Sequence, residues 1–246
     1  MKRTTSTKAG KDTVVSAGLF YSNAITALLI ISLVLMPMAV LTACWGPRNL
    51  TIEDIEDVSS DDWFYRYVVA GIRFGIIRGE RGESLRFEPD EDIALGEFIT
   101  MLGRLHEYGH GTIGTPGDGP DYERYMEWAK EMGIMLDHPD WEDLTPCTLI
   151  NREQKAVIVY MYVDVFDLHD YFANDYNTQM LPPWDYNEMS PWSRMLAMRL
   201  GVMMIMGVRD RMYFKPHDAV SRADALQLLI RVGSAVYDLV HPLMMM

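Results

Sequence analysis

The sequence predicts a mainly α protein, with three helix–loop–helix units sharing one core behind an apolar N-terminal segment. Apolar residues recur every three or four positions in paired stretches, which is the helical period. Loops rich in glycine and proline separate the members of each pair. A short motif also returns three times at nearly equal spacing, and no single unit of this kind buries both of its apolar faces alone.

The chain opens basic, with Lys2, Arg3, Lys8 and Lys11 against Asp12 alone in residues 1–43. From Ala24 to Ala43 there is no charge, and the run Ala27 to Leu35 is strongly apolar. Roughly 20 apolar residues span a bilayer as a helix. A basic start, an apolar middle and the small residues Ala39, Thr42 and Ala43 describe a secretory signal. The end of this segment, Leu41-Thr42-Ala43-Cys44, resembles the lipobox of bacterial lipoproteins. That resemblance implies cleavage before Cys44 and a diacylglyceryl group on its sulfur. The alternative is an uncleaved anchor in which Cys44 is a small apolar residue. Residues 1–44 are therefore a signal peptide or membrane anchor, and both readings place the body outside the cytoplasm, in the cell envelope.

In the first unit Phe64, Val68, Ile72 and Ile76 share one helical face, and Gly75 suits the left-handed residue that ends a helix. A turn-rich loop, Gly79 to Pro89, leads to a second helix with Leu95, Phe98, Leu102 and Leu105 on its apolar side. The second unit repeats the pattern with Gly133-Ile134-Met135, Leu144-Thr145-Pro146 and Ile150-Asn151-Arg152. The third has Gly201-Val202-Met203, Gly207, Phe214-Lys215-Pro216 and Val220-Ser221-Arg222, then Ala225, Leu228, Leu229, Val232 and Val236. Counted from Gly75, Gly133 and Gly201 to Leu95, Arg152 and Arg222, the spacings are 20, 19 and 21 residues. The units are bounded at 52–108, 109–168 and 189–240, with residues 169–188 as a polar linker.

Composition narrows the function. The chain of 246 residues carries 22 basic and 35 acidic side chains, a formal net charge of −13. Nucleic-acid binding needs a basic face to displace counterions from phosphates, so that partner is disfavoured. Two cysteines exclude a disulfide framework and a four-cysteine zinc site. Cys147 reads as a buried small hydrophobe. The 19 methionines read as flexible core filler in preference to a Cu(I) site. His106 and His110 lie four apart, but Gly109 and Gly111 argue against a helix that would converge them, which predicts solvent exposure. The acidic run from Glu53 to Asp57 lacks the spacing of a calcium loop and reads as a solvated face. No phosphate loop and no nucleophile–base motif is present, so neither enzyme, cofactor nor metal is expected.

The entrances of the second helices carry the functional signal. Asn151-x-x-Gln154 and Ser221-x-x-Asp224 fit a capping pattern, in which the cap side chain satisfies a free amide. Arg152 and Arg222 then occupy the first helical turn, where a cation opposes the helix dipole. An anion would explain them, because free amides, the positive helix end and a forked guanidinium converge on one carboxylate or phosphate. The alternative is an ion pair with an acidic neighbour such as Asp143 or Asp210, tying loop to helix.

With these motifs assembled, the three units resemble S-layer homology repeats. Their pattern is Asp-Val, an aromatic-containing first helix, Gly-Ile-Ile-x-Gly, Phe-x-Pro, and Ile-Thr-Arg-Ala-Glu opening the second helix. The resemblance covers about residues 52–240. It implies a three-pronged helical module with pseudo-threefold symmetry. The grooves of such modules hold secondary cell wall polymers, notably glycans with a pyruvylated amino sugar, and anchor the protein noncovalently to the bacterial wall. The family's binding arginine falls on Arg152 and Arg222, and its loop glycines on Gly79 and Gly207. There are departures. Leu95 stands where the first arginine belongs and Ala94 replaces its cap, so the first groove is expected to lack its anion contact. The second unit has Asp137-His138-Pro139 in place of a loop glycine. The partners implied are a wall polymer or peptidoglycan-linked glycan and, through the N-terminal segment, the membrane. The competing expectation is a degenerate scaffold lipoprotein that contacts envelope proteins and binds no glycan.

Overall fold

The computed structural model describes residues 50–79, 85–114, 121–172, 181–208 and 212–237. The signal or anchor segment 1–44, with Cys44, lies outside the described residues. The helices are α1 (Tyr65–Arg73), α2 (Leu95–His110), α3 (Asp121–Glu131), α4 (Pro139–Glu142), α5 (Arg152–Val165), α6 (Pro191–Val202) and α7 (Arg222–Tyr237). Among the described residues there are only isolated β-bridges and no strands, so the protein is mainly α. No helix among them is long and apolar enough to cross a membrane.

The three second helices form where their periodicity places them. In α2 the side chains of Leu95, Phe98, Ile99, Leu102 and Leu105 are fully buried. Ala94 cannot cap, and the Glu97 carboxylate accepts the Ala94 amide instead at 3.0 Å. α5 begins with a complete capping box: Asn151 accepts the Gln154 amide and Gln154 the Asn151 amide, both at 2.9 Å. At α7 the Ser221 hydroxyl accepts the Asp224 amide at 3.3 Å. α5 is buried on nearly every side, from Ala156 through Tyr160 and at Tyr162 and Val163, as a central helix must be.

The turn that ends each first helix corrects the register of the third unit. Gly75 and Gly133 are left-handed, with φ of 67° and 71°. The next amides, of Ile76 and Ile134, bond back to Gly71 and Ala129. In the third unit the residue with this geometry is Met204, at φ 57°, and Ile205 bonds back to Leu200. Gly201 lies inside α6. The equivalent of Gly75 is therefore a methionine three residues later, which no glycine signal could reveal; a side chain there costs about 1–2 kcal/mol.

The two leading amides of each second helix, which have no partner in their own helix, bond to a neighbouring loop. Leu95 and Gly96 donate to Thr148 and Pro146. Arg152 and Glu153 donate to Asp218 and Pro216, and Arg222 and Ala223 to Glu91 and Pro89. Bridges pair Ala94 with Leu149, Asn151 with Ala219 and Ser221 with Asp92. First helices likewise pack on second helices of another unit: α3 on α2, α6 on α5 and α1 on α7. Buried side chains from all three units form one core. At the α2–α3 crossing, a Cβ on Gly103 would fall within the Tyr125 ring, so only glycine lets these helices approach.

Three further expectations change. Asp57 is not a solvated acid: its two oxygens accept the Phe87 and Glu88 amides, both at 2.7 Å. Asp185, assigned above to the linker, does the same for Phe214 and Lys215 at 2.8 and 2.6 Å and is buried. Cys147 is exposed. It stands between Pro146 and Thr148, whose carbonyls are held outward to α2, so the turn presents the thiol to solvent.

His110 is exposed, as expected, but His106 is not, and the helix does not end where expected. α2 continues through Gly109, and the two rings stack at 4.2 Å with 6° between their planes. His106 is buried against Trp128 and Phe166 and shares a 3.3 Å hydrogen bond with the Tyr162 hydroxyl. Burial, then the neighbouring His110, lowers its pKa from 6.5 to about 4. The unfolded chain thus takes up a proton near pH 6.5 that the folded chain refuses until about pH 4. Stability is full above pH 6.5 and should fall by about 3 kcal/mol as the pH drops toward 4. Thermal unfolding across this range checks it, and His106→Phe should flatten that part of the profile.

Candidate functional site

Two clefts have corresponding walls, and each is closed by an arginine from another unit. The larger holds about 630 Å³. Its walls are the turn Ile76 to Gly79, a face of α2 with Glu97 and Arg104, the exposed Cys147, and Arg222 reaching across from α7. The smaller holds about 210 Å³ between Ile205 to Val208, Asp224 and Arg231 on α7, and Arg152 from α5. The two sets match position for position: Arg104 and Arg231 each lie nine residues beyond the first residue of their helix.

This geometry reassigns the grooves. The arginine at a second-helix entrance does not serve its own unit's loop; it reaches into the loop of a neighbour. Arg222 donates to the Phe87 carbonyl of the first unit at 3.2 Å, and Arg152 to the Phe214 carbonyl of the third at 2.7 Å. The missing arginine at Leu95 therefore does not disarm the first unit's groove. It leaves the junction with the second unit without an arginine at either position, with Leu95 fully buried and Met161 at the position of Arg104 and Arg231.

The two guanidinium groups face different surroundings. Arg152 is only 6% exposed. Besides Phe214, it donates to the Gly207 carbonyl, and it lies over the Phe214 ring at 5.1 Å from the centroid. Those bonds hold the third unit's loop onto α5. Gly207 thus contributes a carbonyl, and a Cβ there would meet nothing within 4 Å. Arg222 lines the larger cleft, and its side chain is 19% exposed. It donates to Glu97 at 2.7 Å and lies 3.5 Å from Glu88, while its Nε is buried with no hydrogen-bond partner. Gly79 lines the same cleft, where a Cβ would crowd the Leu85 methyls at 2.6 and 3.0 Å.

Arg104, Arg231 and Arg78 were not identified from the sequence. Arg104 donates to the Ile76 carbonyl at 3.1 Å. Arg78 bonds the Gly75 carbonyl at 2.8 Å and Glu107 at 3.1 Å. Burial pushes Glu107 up, but the Ile113 amide, the Tyr125 hydroxyl, Arg78 and Arg124 together hold its pKa below the usual value. It stays ionised and pins Arg78 beside the cleft. The larger cleft is thus lined by Arg78, Arg86, Arg104 and Arg222 against Glu97, between apolar walls that include Ile77, Leu85 and Met101. A cationic cleft in a chain of net charge −13 suits an acid group carried on a partly apolar body. The helix amides expected to share in such binding are occupied, because loop carbonyls hold the first two at every entrance.

Among the described residues no cluster of three or more His, Cys, Asp or Glu is placed to hold a metal. Compared with protein-family models and with curated proteins, the chain matches none.

Proposed function

We infer that the protein is a cell-envelope module that binds an acid-bearing wall glycan in the larger cleft, on an S-layer-homology-like scaffold of three units in pseudo-threefold order. The cyclic set of junction bonds supports that scaffold: the first unit's second helix bonds the second loop, the second's the third, and the third's the first. The observation that carries the function is Arg222, set with Arg104 in a cationic cleft of about 630 Å³, a volume that accommodates a sugar ring and its acid substituent. A carboxylate or pyruvyl group would meet the guanidinium as a charge-assisted pair, and the apolar walls would take the ring's carbon face. Export through residues 1–44, by lipidation of Cys44 or by an uncleaved anchor, would hold the module at the membrane while the cleft grips the wall. No enzymatic step enters this reading.

The test is retention on purified walls with and without their acid substituents. The wild-type protein is expected to bind only the substituted walls. Arg104→Ala should weaken retention about tenfold, the loss of one charged hydrogen bond. Equal retention on stripped walls would rule the reading out. The ion pair between Arg222 and Glu97 favours the second reading, a scaffold that meets protein partners and no glycan. That reading expects no retention on either wall.

A further inference from the structure

We propose that Glu97 is an internal occupant of the acid-binding position, setting the larger cleft's affinity and selectivity by competing with the ligand for Arg222. This rests on the glycan-binding reading above. An anion at a second-helix entrance should be recognised by a free amide at the helix start together with a forked guanidinium. At α2 the first two helix amides are taken by loop carbonyls, which leaves the cap amide of Ala94 and the Arg222 guanidinium, and one carboxylate already uses both. Glu97 accepts the Ala94 amide through Oε2 at 3.0 Å and the Arg222 Nη2 through Oε1 at 2.7 Å. The chain has thus placed its own acid where an incoming acid would sit.

The other entrances show that this is particular to Glu97. The same position carries Gln154 at α5, which accepts the Asn151 amide but brings no charge. At α7 it carries Asp224, one carbon shorter, and the arginine facing that cleft bonds the Phe214 and Gly207 carbonyls. Glu97 carries a full charge and spans amide and guanidinium at once.

The occupant can leave. The Glu97 side chain is 45% exposed, so its carboxylate can turn into water while the arginine stays in place, anchored by the Phe87 carbonyl. Binding is then an exchange of one carboxylate for another at Arg222. The gain must come from what Glu97 does not use: the buried Nε of Arg222, which has no partner, the neighbouring Arg104 and the apolar walls. A lone small acid gains little by such an exchange, whereas an acid fixed to a sugar ring gains the walls as well. Selectivity for a ring-borne acid follows.

Glu97→Gln tests this, because the glutamine carbonyl can still accept the Ala94 amide while the competing charge is gone. The probe is a glycoside of a pyruvylated amino sugar, titrated by calorimetry against the full chain, with free pyruvate as the small acid. Glu97→Gln should tighten glycoside binding about tenfold, and should bring free pyruvate into the measurable range. Glu88→Gln, which removes the more distant acid, should change the affinity less than threefold. Unchanged or weaker binding by Glu97→Gln, with the wild type binding, would overturn the competition and leave glycan binding standing. If neither the wild type nor Glu97→Gln binds the glycoside, both readings fall together.

Discussion

Arg152→Ala is expected to destabilise the protein by about 3 kcal/mol, whereas Arg222→Ala should cost much less stability and weaken wall binding. The two residues open equivalent helices and look interchangeable in sequence. Their surroundings separate them. Arg152 is buried, its bonds to the Phe214 and Gly207 carbonyls fasten the third loop to α5, and its plane covers the Phe214 ring. Alanine would leave two carbonyls without these donors and a void beside an aromatic ring. Charged hydrogen bonds contribute about 1.5–3 kcal/mol each, and a loss of 3 kcal/mol lowers the melting temperature by about 10 °C in a chain of this size. Arg222 instead belongs to a partly exposed pair with Glu97 and Glu88. Such pairs contribute about 0–1 kcal/mol and the single bond to the Phe87 carbonyl about 1 kcal/mol more, so the melting temperature should fall by about 5 °C or less. Wall retention should fall about 10- to 100-fold. Matched melting and retention measurements on the two variants check this, and equal loss of stability in both would contradict the division of roles.

The difference between these arginines also marks where sequence reading stops. Local patterns were legible: the apolar face of α2, the capping box at Asn151 and Gln154, and the left-handed turns at Gly75 and Gly133 all depend on residues within a few positions of one another. The third turn was misplaced because Met204 adopts a glycine-like conformation that its side chain does not advertise. The stacking of His106 on His110 was missed for the opposite reason: Gly109 signals a helix end, but α2 runs on to Gly111. The clefts were beyond local pattern altogether. Which loop an arginine serves depends on how the units close on one another, and Phe87 lies far along the chain from Arg222. A search for arginine at a fixed distance beyond each helix entrance would have found Arg104 and Arg231, since both stand nine residues on, with Met161 as the exception. Their meaning would still have needed the facing arginine.

Glu153→Ala should be as damaging as Arg152→Ala, by a different route. Glu153 follows the arginine at α5, where the other two second helices have Gly96 and Ala223. It is 2% exposed, and its carboxylate accepts the Ser190 amide and hydroxyl at 2.9 Å and the Ser193 hydroxyl at 2.7 Å. Ser190 is the cap residue of α6 but makes no side-chain cap bond of its own, and Pro191 offers no amide. The start of α6 is therefore held by a carboxylate from α5, placed where a helix N-terminus favours negative charge. Alanine would remove the acceptor of three buried or half-buried donors, and about 3 kcal/mol should be lost. Glu153→Gln, which keeps an acceptor but loses the charge, should cost about half as much. The loss should also be localised. Amide exchange along Pro191–Val202 should accelerate well before that of α2, because α6 is fastened at this point while α2 is held by its own buried face. Uniform acceleration across both helices would show instead that Glu153 supports the whole core and not the docking of α6.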